Sequence, residues 1–149
     1  MTRTTEFLLS FRRIIKLYDR MLKPVCEAYH LTLIEANIVS FLHNNPGHDT
    51  ARDIVELRMM SKGNVSQAVE SLIQKGLLKR STDEADRRIV HLTLTPEAEP
   101  VTGTIKEQVS SFQEELFTGF SSEERERYHQ LSKRMMENTK SAMKRRETL

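Results

Sequence analysis

The stretch that decides the fold is Ser61-Lys62-Gly63-Asn64-Val65-Ser66-Gln67-Ala68-Val69-Glu70-Ser71-Leu72-Ile73-Gln74-Lys75-Gly76, followed by Leu77-Leu78-Lys79-Arg80-Ser81-Thr82, Asp83-Glu84-Ala85-Asp86-Arg87-Arg88 and Ile89-Val90-His91-Leu92-Thr93-Leu94-Thr95. The spacing of its apolar residues changes partway along. Val65, Val69, Leu72 and Ile73 recur at three- and four-residue steps, the period of a helix with one buried side. Ser61 is placed to cap that helix, and Gly76 to end it in a left-handed conformation. From Leu77 the period becomes two. Leu77 to Thr82 and Ile89 to Leu94 read as strands, with Val90, Leu92 and Leu94 on one face. The polar run from Asp83 to Arg88 between them reads as a hairpin tip.

Working upstream, Thr50 with Asp53 caps a short helix from Ala51 to about Leu57, and Thr32 with Glu35 forms a capping box for a helix carrying Ala36, Val39, Phe41 and Leu42. Asn44-Asn45-Pro46-Gly47 separates the two. Before them, Thr5 to Tyr29 reads as one long helix. Phe7, Phe11, Ile14, Tyr18, Met21 and Val25 form one stripe on it, and Leu8, Ile15 and Leu22 a second. Pro24 is expected to kink this helix or end it early. Downstream, Thr95-Pro96 opens a helix to about Phe117, with an irregular first turn expected at Pro100 and Gly103. Gly119 breaks it. Ser121 with Glu124 caps a last helix, expected to turn Tyr128, Leu131, Met135 and Met143 inward.

The fold class is therefore mainly α with a small β-hairpin. Three short helices and a two-stranded wing make a winged helix-turn-helix lobe over 31–95. Long helices at 1–30 and 96–149 flank it within a single domain, 1–149. A helix fits the major groove of DNA, about 12 Å wide. The helix after Ser61 would present Lys62, Asn64, Ser66, Gln67 and Ser71 away from its apolar side. Such short donors and acceptors suit base edges better than a Glu/Lys-rich solvated face would. Gly63 would let backbone N–H groups approach a phosphate.

The wing sequence Asp86-Arg87-Arg88-Ile89-Val90-His91-Leu92-Thr93-Leu94-Thr95 resembles the D-x-R-x-x-x-L-x-L-T pattern of the MarR (multiple-antibiotic-resistance regulator) family. Leu31-Thr32-Leu33-Ile34-Glu35-Ala36 is similar to the opening of that family's second helix. Val65-Ser66 and Leu72 to Arg80 resemble its recognition helix and first wing strand. Ala98 departs from a frequent glycine. The resemblance implies a DNA-binding transcriptional regulator, commonly a repressor relieved by a small aromatic or anionic molecule. It also implies a homodimer with interlocked terminal helices.

Asp86 and Arg88 are two apart and can share a side of the hairpin, so the carboxylate can orient the guanidinium toward a narrow minor groove. Lys79, Arg80 and Arg87 are candidates for phosphate contact. Gln67 and Asn64 suit adenine, which implies an operator rich in A·T. An effector site would draw on Phe11, Ile14, Tyr18, Phe41 and Met59, all of which also suit a simple core. The terminal helices, each about 37 Å long at 1.5 Å per residue, carry more apolar surface than one small core covers, which argues for a dimer on a near-palindromic site.

Composition narrows the alternatives. The 149 residues are 38% hydrophobic and 30% charged, with a net charge of +2. Residues 1–25 carry +4 and 140–149 carry +3, so the middle carries −5 and electrostatics alone argues weakly for nucleic acid. No run approaches the roughly 18 apolar residues of a membrane span, and the first residues lack an apolar signal core. A cytoplasmic protein without a membrane partner is expected. The single Cys26 permits a redox-responsive alternative, although Glu27 beside it would not activate the thiol. The five histidines lack metal-ligand spacing, so neither a metal nor a cofactor is expected. No phosphate-binding glycine loop, H-E-x-x-H or nucleophile elbow is present, which argues against an enzyme. A winged-helix adaptor that contacts only proteins is the remaining alternative.

Overall fold

The computed structural model describes residues 1–147, in the order α1 (Arg3–Tyr29), α2 (Leu33–Asn44), α3 (Ala51–Arg58), α4 (Lys62–Gln74), β1 (Leu78–Thr82), β2 (Val90–Leu94), a 3-10 turn (Pro96–Ala98), α5 (Glu99–Leu116) and α6 (Ser122–Glu147). The caps explain most of the boundaries. Thr32 and Glu35 make the reciprocal capping box of α2, and Thr50 and Asp53 that of α3. Ser61 Oγ accepts the Asn64 N–H at 3.2 Å, and Ser121 with Glu124 starts α6.

Two helices depart from expectation. α1 begins at Arg3, because Thr2 caps it through the Thr5 N–H. It also runs through Pro24 to Tyr29. Pro24 is exposed, so the backbone bond it cannot make is given up on the solvent side of the helix. α5 runs as regular helix through Pro100 and Gly103, and the irregularity expected at those residues falls earlier, in the 3-10 turn Pro96–Ala98. Ala98 there is 1% exposed, so its methyl group is part of the packing where the resembled family often has glycine.

Each strand starts one residue later than its apolar pattern. The Leu77 N–H bonds Leu72 O and the Gly76 N–H bonds Ile73 O, both at 3.0 Å. This paired closure of α4, with Gly76 at φ +76°, takes Leu77 into the helix end. Ile89 is held in the tip turn through its N–H to Asp86 O at 3.0 Å. The antiparallel register pairs Leu78 with Leu94, Arg80 with Leu92 and Thr82 with Val90. On the expected apolar face Leu92 is buried and Leu94 half-buried, but Val90, at the tip end, is exposed.

The chain divides into two compact units, Met1–Phe112 and Gln113–Leu149. The first has a continuous core: Leu22 and Val25 of α1, Ile38 and Val39 of α2, Ile54 of α3, Val65, Val69 and Leu72 of α4, Leu78 and Leu92 of the hairpin, and Val101 and Ile105 of α5. Each such side chain contributes about 1.5–3 kcal/mol by leaving water. In the second unit Phe117 is ringed by Phe120, Tyr128 and His129 at 5.4–5.6 Å, with the Arg125 guanidinium 4.6 Å from its centroid. Gly119, at φ +83°, makes the turn. No residue of α6 is buried. Tyr128, Leu131, Met135 and Met143, expected to face inward, are exposed. Tyr128 packs edge-on against Phe117 at 5.6 Å, whereas Leu131, Met135 and Met143 form an apolar stripe that stays exposed.

Candidate nucleic-acid interface

α4 is amphipathic in the sense its sequence requires. Val65, Ala68, Val69 and Leu72 are buried, whereas Lys62, Gly63, Asn64, Ser66 and Gln67 are exposed. Ser71 corrects the sequence reading. It is half-buried, and its hydroxyl donates to Glu35 Oε2 at 3.0 Å, so it is tied to α2 and not displayed with the others. An open groove of about 290 Å³ lies between the start of α2 and α4, lined by Thr32, Ile34, Glu35, Asn64, Gln67, Ala68 and Ser71. It sets Asn64 and Gln67 beside apolar wall.

Glu35 is the residue whose role the sequence hid. It is 2% exposed and still ionised. Burial alone would raise its pKa, but the Thr32 N–H, the Lys75 ammonium and the Ser71 hydroxyl outweigh burial and hold it below the ordinary value. Lys75 Nζ lies 2.9 Å from Glu35 Oε2 and 3.1 Å from Oε1, and also donates to His30 O at 2.8 Å. One ammonium therefore joins the end of α4 to α2 and to the last turn of α1. The cap pattern pointed to Glu35 only as a helix start, because Lys75 is 40 residues away.

The wing displays its cation directly. Asp86 accepts Arg88 Nε at 3.1 Å through Oδ1 and a terminal Arg88 nitrogen at 3.1 Å through Oδ2, while Oδ1 also takes the Arg88 N–H at 3.0 Å. The side chain of Arg88 is 91% exposed, so the fork orients a guanidinium that faces water. The arginine's bond lowers the Asp86 pKa, and the carboxylate raises that of Arg88. Arg87 and Lys79 are exposed. Arg80 is exposed but paired with Glu70 at 2.7 Å, which bridges β1 to α4. Behind the wing, His91 lies between Asp49 at 2.7 Å and Asp83 at 2.8 Å. The sequence showed no reason to single out this histidine, since Asp49 is 42 residues away.

The five expected effector residues do not share one environment. Phe41 is 6% exposed and belongs to the core, while Met59, the left-handed cap of α3, is 81% exposed. Phe11 stacks edge-on with Phe7 at 4.7 Å, and Ile14 is half-buried. Tyr18 bonds Ser40 through its hydroxyl at 3.2 Å and meets Phe112 edge-on at 5.3 Å, with Arg58 5.9 Å from its ring. Apolar periodicity selected these five, but it cannot separate core from cavity wall. Cys26 is half-buried. Desolvation raises its pKa, and Glu35, Glu27 and Asp19 raise it further against a backbone hydrogen bond, which disfavours the reactive thiolate. No helix among the described residues is long and apolar enough to cross a membrane.

Comparison with known proteins adds a family. Residues 30–89 match the sequence profile of the MarR family. The chain is 29% identical over 115 residues to the HTH-type transcriptional regulator PecS of Dickeya dadantii, covering 76% of this chain and 69% of that protein. In structure it is similar to a MarR transcriptional regulator from Methanosarcina mazei (TM-score 0.77, 20% identity, 92% of this chain and 99% of that one). It is also similar to Bordetella bronchiseptica BpsR, described with the regulation of its DNA binding by 6-hydroxynicotinic acid (TM-score 0.67, 24% identity, 90% and 99%). At these identities the structural likeness carries the fold, a helical body with a winged hairpin.

Proposed function

We propose that this chain, which matches the MarR-family profile over residues 30–89 and is 29% identical to PecS over 115 residues, is a transcriptional regulator of that family and acts as a homodimer on near-palindromic duplex DNA. The lobe over 31–95 reads the DNA, and the helices at 1–30 and 96–149 join two chains. α4 enters the major groove, and the hairpin carries Arg88 to the adjoining minor groove. The observation that carries this reading is the split of α4: Lys62, Asn64, Ser66 and Gln67 stand exposed while Val65, Ala68, Val69 and Leu72 are buried behind them. Gln67 and Asn64 pair with adenine, each good pair contributing about 1–3 kcal/mol of discrimination. Arg80, Arg87 and Lys79 contact flanking phosphates, Arg80 by exchanging Glu70 for the DNA.

The dimer follows from exposed apolar surface at both ends of the chain. Phe7, Leu8, Phe11 and Ile15 on α1, and Leu131, Met135, Met136 and Met143 on α6, are exposed. A two-fold pair would place two copies of α4 about 34 Å apart, one DNA turn. A small aromatic or anionic effector would relieve repression in the cytoplasm. The regulation of BpsR by 6-hydroxynicotinic acid, a small aromatic acid, supports that class of ligand. Phe11, Ile14 and Tyr18 recur along one side of α1, where it would lie. Releasing DNA 100-fold requires about 2.7 kcal/mol of preference for the non-binding form.

The test is selection from random-sequence duplexes, followed by titration at several salt concentrations. The reading expects a near-palindrome rich in A·T. It also expects affinity that falls steeply with salt, and a log–log salt slope about one unit smaller in Arg88→Ala. G·C-rich half-sites would overturn the adenine assignment. Salt-independent or absent binding would overturn DNA recognition in favour of a protein-contacting adaptor.

A further inference from the structure

The hydrogen bonding around His91 goes beyond holding two strands together. Both ring nitrogens face carboxylate oxygens, Nδ1 to Asp49 Oδ1 at 2.7 Å and Nε2 to Asp83 Oδ1 at 2.8 Å. An ionised carboxylate only accepts, and a neutral imidazole has a single N–H. Two such bonds can coexist only if the ring carries both protons, as an imidazolium. The two carboxylates belong to different parts of the unit. Asp49 lies in the loop between α2 and α3, where its backbone oxygen also takes the Leu92 N–H of β2 at 2.8 Å. Asp83 begins the hairpin tip, and its second oxygen accepts the Ala85 and Asp86 N–H groups at 3.0 and 2.9 Å. Asp86 in turn forks Arg88. Hydrogen bonds thus run from the α2–α3 loop through His91 and Asp83 to the backbone N–H of Asp86, whose side chain holds the guanidinium at the tip.

Several other charged groups near β2 are engaged elsewhere. On α3, Arg52 pairs with Glu56 at 3.0 Å, and Asp53 faces His48 of the loop at 4.0 Å. On β1, Arg80 pairs with Glu70, and on α2, Glu35 pairs with Lys75. Lys79 of β1 is exposed, and His43 of α2 is exposed as well. The charges acting on the ring are those of Asp83 and Asp49, and their hydrogen bonds raise its pKa above 6.5 against a smaller opposing effect of burial.

We propose that His91 is a positioning residue for DNA recognition: as an imidazolium it locks the hairpin to the α2–α3 loop and so sets where Arg88 meets the minor groove. The proposal rests on the DNA-binding reading above. A histidine whose folded pKa is raised contributes fully below its unfolded value and loses that contribution as pH rises through the folded one. Alkaline pH should therefore release the wing without unfolding the lobe.

Two readouts on the full-length protein test this separately. The first needs no DNA. Nitrogen chemical shifts of the His91 ring and amide shifts of Asp83, Ala85 and Asp86 are followed from about pH 6 to about pH 9. The ring and the tip should titrate with one midpoint, and Asp49→Asn should lower it. The second is affinity for a duplex selected on the wild-type protein, at fixed ionic strength. Wild-type binding should weaken roughly tenfold across that range. His91→Gln should be weak throughout with a flat profile. His91→Arg, which keeps a cation able to bridge both carboxylates, should restore affinity with no pH dependence. Tip amides that ignore the ring's titration would overturn the lock, as would a His91→Gln protein with wild-type affinity and pH profile. If the ring and tip titrate together but the wild-type protein binds no duplex, the DNA-binding reading fails and the positioning role falls with it, while the lock itself stands.

Discussion

α2 and α6 are both capped helices, but α2 is largely apolar whereas α6 is strongly charged with a narrow apolar stripe, and they differ in what surrounds them. Of the twelve residues of α2, seven are buried, including Glu35, Asn37 and Ser40, and each of these polar three has a partner. Of the twenty-six residues of α6, none is buried. A helix gains most of its stability from the surface it covers and little from propensity alone. The contrast teaches that α2 is specified by contacts within the chain, whereas α6 leaves Leu131, Met135, Met136 and Met143 exposed.

The substitution with the largest effect on this comparison is Ile38→Ala, at a side chain with no exposure. It should cost about 3 kcal/mol of unfolding free energy in urea titration, whereas Met136→Ala on α6 should stay within about 0.5 kcal/mol in a single chain. Equal costs at the two sites would dissolve the contrast. Next comes Glu35→Gln, which leaves the Lys75 ammonium facing a neutral amide and should cost about 2 kcal/mol. Because the folded pKa of Glu35 lies below its ordinary value of 4.5, its contribution is present above that value and lost as pH falls through the folded one. The wild-type denaturation midpoint should therefore drop with acid more steeply than that of the variant. The smallest effect on the lobe belongs to Leu131→Asp combined with Met135→Asp. Unfolding of the first unit should shift by no more than about 0.5 kcal/mol. On the proposed dimer, however, the mass from light scattering falls to the single chain's 17.3 kDa. Unchanged association would move the interface away from this face.

The same contrast explains what the sequence disclosed. Caps are local, so Thr32, Thr50, Ser61 and Ser121 marked their helices correctly, and the change of period at Gly76 located the hairpin. Asp86 and Arg88, two residues apart, also declared their geometry. Information carried across long separations was not legible. Glu35 meets Lys75, His91 meets Asp49, and Ser71 turns toward α2, and none of these pairs leaves a spacing signature. Periodicity marked the apolar face of α6 but not whether the chain itself covers that face. It likewise grouped Phe41 with Met59, although one is core and the other projects into water.

The Lys75 ammonium has a mechanical consequence. It grips the carbonyl of His30, the cap of α1, and the buried carboxylate of α2 from the residue that caps the C-terminus of α4. A displacement at the end of α1 would thereby act on α4 at its C-terminal end, opposite the first turn that displays Lys62 and Asn64.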